Sequence, residues 1–305
     1  MKIGFECPSC LLSRGTKEIE KATEDPAIRA RVALEVVKVL SENLGLDVVP
    51  SYVATLRDRA IRRVTGNPDP YLFEKRRSSE YALKLLPKAM EYVDSASDVS
   101  EMFGRACLCA AVGNAMEFDI EGYSFQYQDL DRILSRSESE LGLDHRNELY
   151  RLAMESRETL LLTDNAGEIV FDTILVQMLR QLGGRVAVAV KEGPILNDAT
   201  MDDAETSGMK GFADLLLTTG NDCVGFCREE SSREFLDAYQ RADLVIAKGM
   251  GHLETLTEEP FSKRIGFILK AKCRPVADFL GLDKGKYAVM LAWSQRTVNG
   301  NLARP

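Results

Sequence analysis

The sequence predicts an α/β protein in two parts, an all-helical region over residues 1–155 and a three-layer α/β/α sheet domain over residues 156–305. Three observations carry this. The first half repeats apolar residues at helical spacing. The second half alternates short β-rich runs with helix-like segments. Those runs are apolar throughout rather than at every other position, which points to strands covered on both faces and hence a largely parallel sheet.

Taken in order, "DPAIRARVALEVVKVLSENLG" puts Ile28, Val32, Val36, Val39 and Leu40 on one face, with Asp25 and Pro26 at its start and Gly45 as its stop. "SYVATLRDRAIRRVTG" repeats the device with Val53, Leu56, Ala60, Ile61 and Val64 before Gly66. "SSEYALKLLPKAMEYVDS" reads as a helix kinked at Pro87. "DVSEMFGRACLCAAVGNAMEF" reads as another ending near Gly113 and Asn114, and "DLDRILSRSESELG" as a short amphipathic piece. No strand is expected before residue 156. Beyond it, strands are expected at 159–163, 185–190, 213–219, 242–248, 264–271 and 287–292, with helices in "GEIVFDTILVQMLRQLG" and "SSREFLDAYQR".

The 305 residues suffice for a sizeable core, and 28% are charged with a formal net charge of -8. That balance argues against a broad nucleic-acid surface while leaving room for a phosphorylated small molecule in a local basic pocket. No apolar run approaches the roughly 20 residues of a membrane span. The first residues break into Cys, Pro and charge too early for a signal peptide, so the expectation is a cytoplasmic protein without membrane or nucleic-acid partners. Seven cysteines do not suggest a secreted disulfide framework.

In open α/β sheets ligands bind at the carboxyl ends of the strands. The first strand delivers Asp164, Asn165, Gly167 and Glu168, and the second delivers Lys191, Asn197 and Asp198. The third delivers Asp222, the fourth Lys248 with His252, and the fifth Lys272. Carboxylates and amides beside lysines suit a hard divalent cation next to a phosphoryl group. Each residue also has a plainer reading: Asp164 or Asn165 as a helix cap, Asn197-Asp198 as a turn, the lysines as solvated surface. Their shared position at strand ends favours the site, with Gly167 a point of close approach between backbone and ligand. Phosphate-loop, GxGxxG and HExxH motifs are absent from the sequence. With His145 and His252 the only histidines, a metal would take oxygen ligands. His145 reads as a surface residue. Cys7 and Cys10 have the spacing of half a zinc site or a redox pair, so a second, structural metal is an expectation there, with Cys107 and Cys109 as candidates to complete it.

The combination of "CPSCLLSR" (7–14), "TGNPDPYLFEKRRSSEYAL" (65–83), "GNAMEF" (113–118), "LLLTDNAGEIVFD" (160–172), "VKEGPILNDATMDDA" (190–204), "DLVIAKGMGHLETL" (243–256) and "LKAKCRPVA" (269–277) resembles the DUF89 family of metal-dependent damage-control phosphatases, in its stand-alone archaeal type with an amino-terminal CxxC. The resemblance implies a helical domain on a Rossmann-like α/β/α domain, with Mn, Ni, Co or Mg at the strand ends. It implies that Asp164, Asn165 and Asp198 hold the metal and that Asn114 and Glu168 wall the site. It further implies that Lys248 and Lys272 contact phosphate, and that Asp69 and Lys75 reach over from the helical side. Where the family pattern has Gly-Asn after Lys-Gly, this chain has Gly251-His252.

The expected reaction is metal-assisted hydrolysis of small phosphorylated metabolites, sugar phosphates among them, with water attacking directly and Asp164 or Asp198 orienting or deprotonating it. Two other classes stay open on the sequence: a nucleotide-cofactor transferase of methyltransferase type, and a noncatalytic metal- or metabolite-binding protein.

Overall fold

The structure, a computed structural model, describes residues 1–115, 127–259, 263–293, 297–298 and 301–302. Five helices come first: α1 (Cys7–Ala22), α2 (Pro26–Asn43), α3 (Pro50–Thr65), α4 (Leu72–Asp94) and α5 (Val99–Ala115). Asp25 caps α2, its Oδ1 accepting from the amides of Ala27 at 2.8 Å and Ile28 at 3.2 Å, and α3 stops at Gly66. Buried Val32, Val36 and Leu40 of α2 meet Val53 and Ile61 of α3 and Leu11 and Ile19 of α1. Pro87 lies inside α4 without ending it. The residues Met116, Glu117 and Phe118 of the "GNAMEF" motif lie outside the described residues.

After α6 (Tyr127–Ser139) comes a strand the sequence reading did not anticipate, β1 (Leu141–Asp144), followed by α7 (Arg146–Glu155). The expectation of no strand before residue 156 is therefore corrected. β1 has four residues and a half-exposed, alternating burial, too short to show a period. It pairs in parallel with the last strand of the main sheet. His145, expected at the surface, is half-buried there, its Nδ1 accepting from the amide of Leu291 at 3.1 Å.

The remaining elements are β2 (Glu158–Leu162), α8 (Glu168–Gln181), β3 (Arg185–Val190), α9 (Met201–Thr206), β4 (Leu215–Thr218), α10 (Arg233–Arg241), β5 (Leu244–Lys248), α11 (Gly249–Leu256), β6 (Arg264–Lys270), α12 (Arg274–Leu280) and β7 (Tyr287–Trp293), with a small β8–β9 pair beyond. The seven-stranded sheet runs β1-β7-β6-β5-β2-β3-β4. β6, β5, β2, β3 and β4 are mutually parallel, while β7 is antiparallel to β6. Both faces are covered. Leu161, Val186, Val188 and Val190 face a cluster shared with α5 and α8, while Leu160, Leu162 and Ala189 face one shared with α10, α11 and α12. Phe103, Ala106 and Ala110 of α5 sit in the same cluster as Ile169 and Phe171 of α8, so helical layer and sheet share one continuous core.

The chain begins the parallel part at β2, steps outward to β3 and β4, then returns to the other side of β2 for β5 and β6. The crevice between the ends of β2 and β5 is the switch point where such sheets bind ligands.

Candidate active site

At the end of β2, Thr163 fastens to the neighbouring strand, its amide and Oγ1 both donating to the Ala189 carbonyl at 3.1 and 2.9 Å. The loops after β2 and β3 then zip together. The amide of Ala199 donates to the Asp164 carbonyl at 2.7 Å, that of Ala166 to Asn197 at 2.9 Å, and Asn165 and Asp198 form a β-bridge. Backbone pairing thus delivers Asp164, Asn165 and Asp198 to one place. Gly167 stands at the cap position before α8 and no side chain caps the helix, so neither Asp164 nor Asn165 is spent on capping. Gly167 makes its close approach to α4 rather than to a ligand: a Cβ there would lie 2.8 Å from that of Ser78.

The side chains around these loops form a dense polar network. Asn114, from the end of α5, donates through Nδ2 to Asp164 Oδ2 at 2.6 Å and to Glu168 Oε2 at 2.8 Å. Asn165 Nδ2 donates to the same two oxygens at 3.0 and 2.9 Å. Beneath them Lys248, fully buried, donates to the Ala110 carbonyl at 3.0 Å, to Asp172 Oδ1 at 2.6 Å and to Glu168 Oε1. Its three protons are all used. Although burial disfavours its charge, Asp172 and Glu168 outweigh that and hold the ammonium above its ordinary value. Burial, then the neighbouring Lys248 and Glu168 charges in opposite senses, leaves Asp172 pushed up to about 7.

Several oxygens in this network have no hydrogen-bond partner among the described residues: Oδ1 of Asp164, Oδ1 of Asn165 and both carboxylate oxygens of Asp198, and, deeper, Oδ2 of Asp172. Asp198 is 4% exposed, and its nearest cation, Lys191 Nζ, stands 3.8 Å away. Burial pushes Asp198 up to about 8 against the attraction of Lys191, and pushes Asp164 up to about 6 with help from Glu168. Unpartnered oxygens on half-buried Asp164 and Asn165 and on buried Asp198 fit a hard divalent cation, which supplies the missing partner.

The helical layer closes the other side. Lys75 of α4 is buried, 3.0 Å from Asp203, 3.4 Å from Asp69 and 3.5 Å from Thr200 Oγ1. Asp203 also closes a capping box on Thr200 at the start of α9. Of the two residues expected from the helical side, Lys75 contacts Thr200 and Asp203 beyond Asp198, whereas Asp69 contacts Lys75. Lys272, half-buried after β6, has neither hydrogen bond nor ion pair among the described residues, and its charge acts on Asp164. His252 is buried with Nδ1 2.9 Å from the Lys248 carbonyl, and burial, then Lys191, pushes it down to about 3, so it is neutral.

Two contributors, Asp172 and Asp58, were not singled out from the sequence, whereas Lys191 and Asp222 were. Asp172 lies one helical turn after Glu168 on α8, a spacing that marks a shared face. Asp58 of α3 accepts from the Leu196 amide at 3.1 Å, where Leu196 holds a positive φ of 47°, and from Arg62 Nε at 2.6 Å. Lys191 donates to the Gly225 carbonyl at 2.6 Å. Asp222 is held by Arg59 and Arg62 of α3. Cys107 and Cys109 do not complete a sulfur site with Cys7 and Cys10, because both are buried in the apolar core around α5, whereas Cys7 opens α1 beside the Gly4 amide. Among the described residues, the thiol and carboxylate donors that do converge are Cys223, Cys227 and Glu230, a group able to coordinate a metal ion. Among the described residues no helix is long and apolar enough to cross a membrane.

The damage-control phosphatase ARMT1-like domain family matches residues 5–287. A damage-control phosphatase of Archaeoglobus fulgidus is 34% identical over 285 residues, covering 93% of this chain and 97% of that protein. One from Pyrococcus horikoshii is 34% identical over 294 residues, covering 95% and 98%. An uncharacterized protein of Methanocaldococcus jannaschii is 33% identical over 289 residues, covering 93% and 94%. The crystal structure of a DUF89 family protein from Pyrococcus horikoshii superposes with a TM-score of 0.86 at 33% identity, over 95% of this chain and 99% of that one. The chain belongs to the damage-control phosphatase ARMT1-like family, an assignment that makes it a metal-dependent phosphatase acting on small phosphorylated metabolites.

Proposed function

We propose that the crevice between the ends of β2 and β5 hydrolyses phosphomonoesters of small metabolites, sugar phosphates among them, with a divalent cation held by Asp164, Asn165 and Asp198. The observation that carries this reading is the set of unpartnered side-chain oxygens on those three residues, at a switch point. When bound, the cation (Mn, Ni, Co or Mg) polarises the phosphoryl group and acidifies water.

The chain's own residues do the rest. Asn114 and Asn165 fix one oxygen of Asp164 from two sides, leaving the other free to ligate. Lys248 pins Glu168 and Asp172 under the site, a positioning role that uses all three of its protons. Contact between Lys248 and phosphate therefore requires it to give up one of these partners, whereas Lys272 has none to lose and takes a phosphate oxygen directly. Asp69 and Lys75 bound the pocket from the helical side and contact the rest of the metabolite, with neutral His252 at its base. Asp198 accepts the proton of the attacking water, with Lys191 beside it to steady the carboxylate.

The test is a panel of sugar and other small phosphate esters assayed with each cation and with none. Cation-dependent phosphate release that disappears in Asp198→Asn supports the reading. Trapping of a phosphorylated Asp, or turnover undiminished by chelation, contradicts it.

A further inference from the structure

A second metal-ligating group lies away from the β2–β5 crevice, in the loop between β4 and α10. Cys223 Sγ, Cys227 Sγ and a carboxylate oxygen of Glu230 lie within 4.8 Å of one another. Cys223 is buried, Cys227 half-buried and Glu230 exposed, so the group opens to solvent on one side.

The loop is built to hold the two thiols in place. The Cys223 amide donates to Asn221 Oδ1 at 3.1 Å, and Asn221 Nδ2 donates to Ser231 Oγ at 3.1 Å. Ser231 Oγ in turn donates to the Cys227 carbonyl at 2.6 Å, closing the ring. Between the cysteines, the Val224 amide is taken by Thr55 Oγ1 and that of Phe226 by Thr255 Oγ1, both at 2.9 Å. Gly225 makes the turn with φ of +74°, and a Cβ there would stand 2.3 Å from the Gly251 carbonyl oxygen. The turn is thus clamped between α3 and α11.

A cation is already drawn to these donors. Arg59 of α3 sets Nη2 2.6 Å from Glu230 Oε2 and 3.4 Å from Cys223 Sγ, with Nη1 3.2 Å from Glu230 Oε1. That contact holds the Glu230 carboxyl below its ordinary range. Burial, then Cys227 and Glu230, holds the Cys223 thiol above its ordinary value.

We propose that Cys223, Cys227 and Glu230 bind a thiophilic divalent cation of the zinc class, displacing Arg59 from Glu230 and leaving a fourth position for water. Two sulfurs and a carboxylate select such an ion over Mg or Mn, which the all-oxygen crevice prefers. Because Gly225 also accepts from Lys191, the ion stiffens the loop that flanks Asp198.

Cobalt serves as the probe, added to the reduced, metal-free full chain. Thiolate-to-cobalt charge transfer gives a near-ultraviolet band that an oxygen-only site does not produce. The band is expected in the unaltered chain and in Asp164→Asn, and is lost in Cys223→Ser and Cys227→Ser. Glu230→Gln, a change at an exposed side chain, is expected to weaken cobalt binding by about tenfold or more while the chain stays folded by circular dichroism. Absence of the band in the unaltered chain overturns the proposal. So does a band that survives both cysteine substitutions and vanishes in Cys7→Ser, and so does unchanged cobalt affinity in Glu230→Gln.

Discussion

Gly249 rests directly on the Asp164 carboxylate: a Cβ at Gly249 would lie 1.9 Å from Oδ2, and its φ is +77°. The first residue of α11 is therefore shaped by the acid at the end of β2. Replacing Gly249 with alanine drives Asp164 out of its hydrogen bonds with Asn114 and Asn165. It also forces an L side chain into the left-handed region at about 1–3 kcal/mol. Gly249→Ala is expected to lower the melting temperature and to abolish cation-dependent turnover. A variant with unaltered metal affinity would separate Asp164 from metal binding.

Among the described residues Lys248 is the one cation in contact with both Glu168 and Asp172, and all three side chains are fully buried. Lys248→Met leaves two carboxyl groups without their counter-charge, a loss of about 3–5 kcal/mol. Protonation relieves part of this, so the deficit measured by denaturant titration is expected to be smaller at pH 5 than at pH 8. An equal deficit at both would show that charge is not what Lys248 supplies.

Lys272 makes no hydrogen bond or ion pair among the described residues, so removing it costs the fold little. Lys272→Ala is expected to leave the denaturation midpoint nearly unchanged. KM for a phosphomonoester rises roughly ten- to a hundredfold, the worth of one charge-assisted hydrogen bond. Inorganic phosphate becomes a correspondingly weaker inhibitor. Unchanged KM together with unchanged phosphate inhibition removes Lys272 from the phosphate site.

Asp164 and Asp198 stand at about 6 and about 8 in the fold, against an ordinary value of 3.8. Both are raised, so the stability they contribute is complete below the ordinary value and is lost as pH climbs through the folded values. A bound cation requires both ionised, and its binding releases their protons. The gain in melting temperature on adding Mn is therefore expected to widen steadily from pH 5 to pH 8. A gain independent of pH contradicts the assignment of these two acids as ligands.

Much of the sheet was legible in the chain because β2, β3, β5 and β6 are apolar on both faces, and so read as unbroken runs. β1 was not, since Leu141–Asp144 shows two half-buried and two exposed residues over a single short stretch. Asp164, Asn165 and Asp198 could be named because strand ends in a parallel sheet are predictable places. What sequence could not convey was the pairing between loops that sets Asn165 against Asp198, which depends on backbone geometry. Nor could it show that Lys248 points downward: Asp172 looked like one polar residue in the apolar "EIVFDTILV" helix, and its partner lies 76 positions away. Cys223 and Cys227 lie four positions apart in the chain, but Glu230 joins them through a turn that Gly225 and Ser231 create.

The central claim is that Asp164, Asn165 and Asp198 hold the cation on which hydrolysis depends. Titrating the metal-free chain with Mn, with free ion read by electron paramagnetic resonance, tests it directly when repeated on Asp164→Asn and Asp198→Asn and paired with turnover of a phosphomonoester. Each substitution is expected to abolish tight Mn binding and turnover together while circular dichroism is preserved. Variants that still bind Mn as tightly and hydrolyse the ester as fast as the unaltered chain would contradict it.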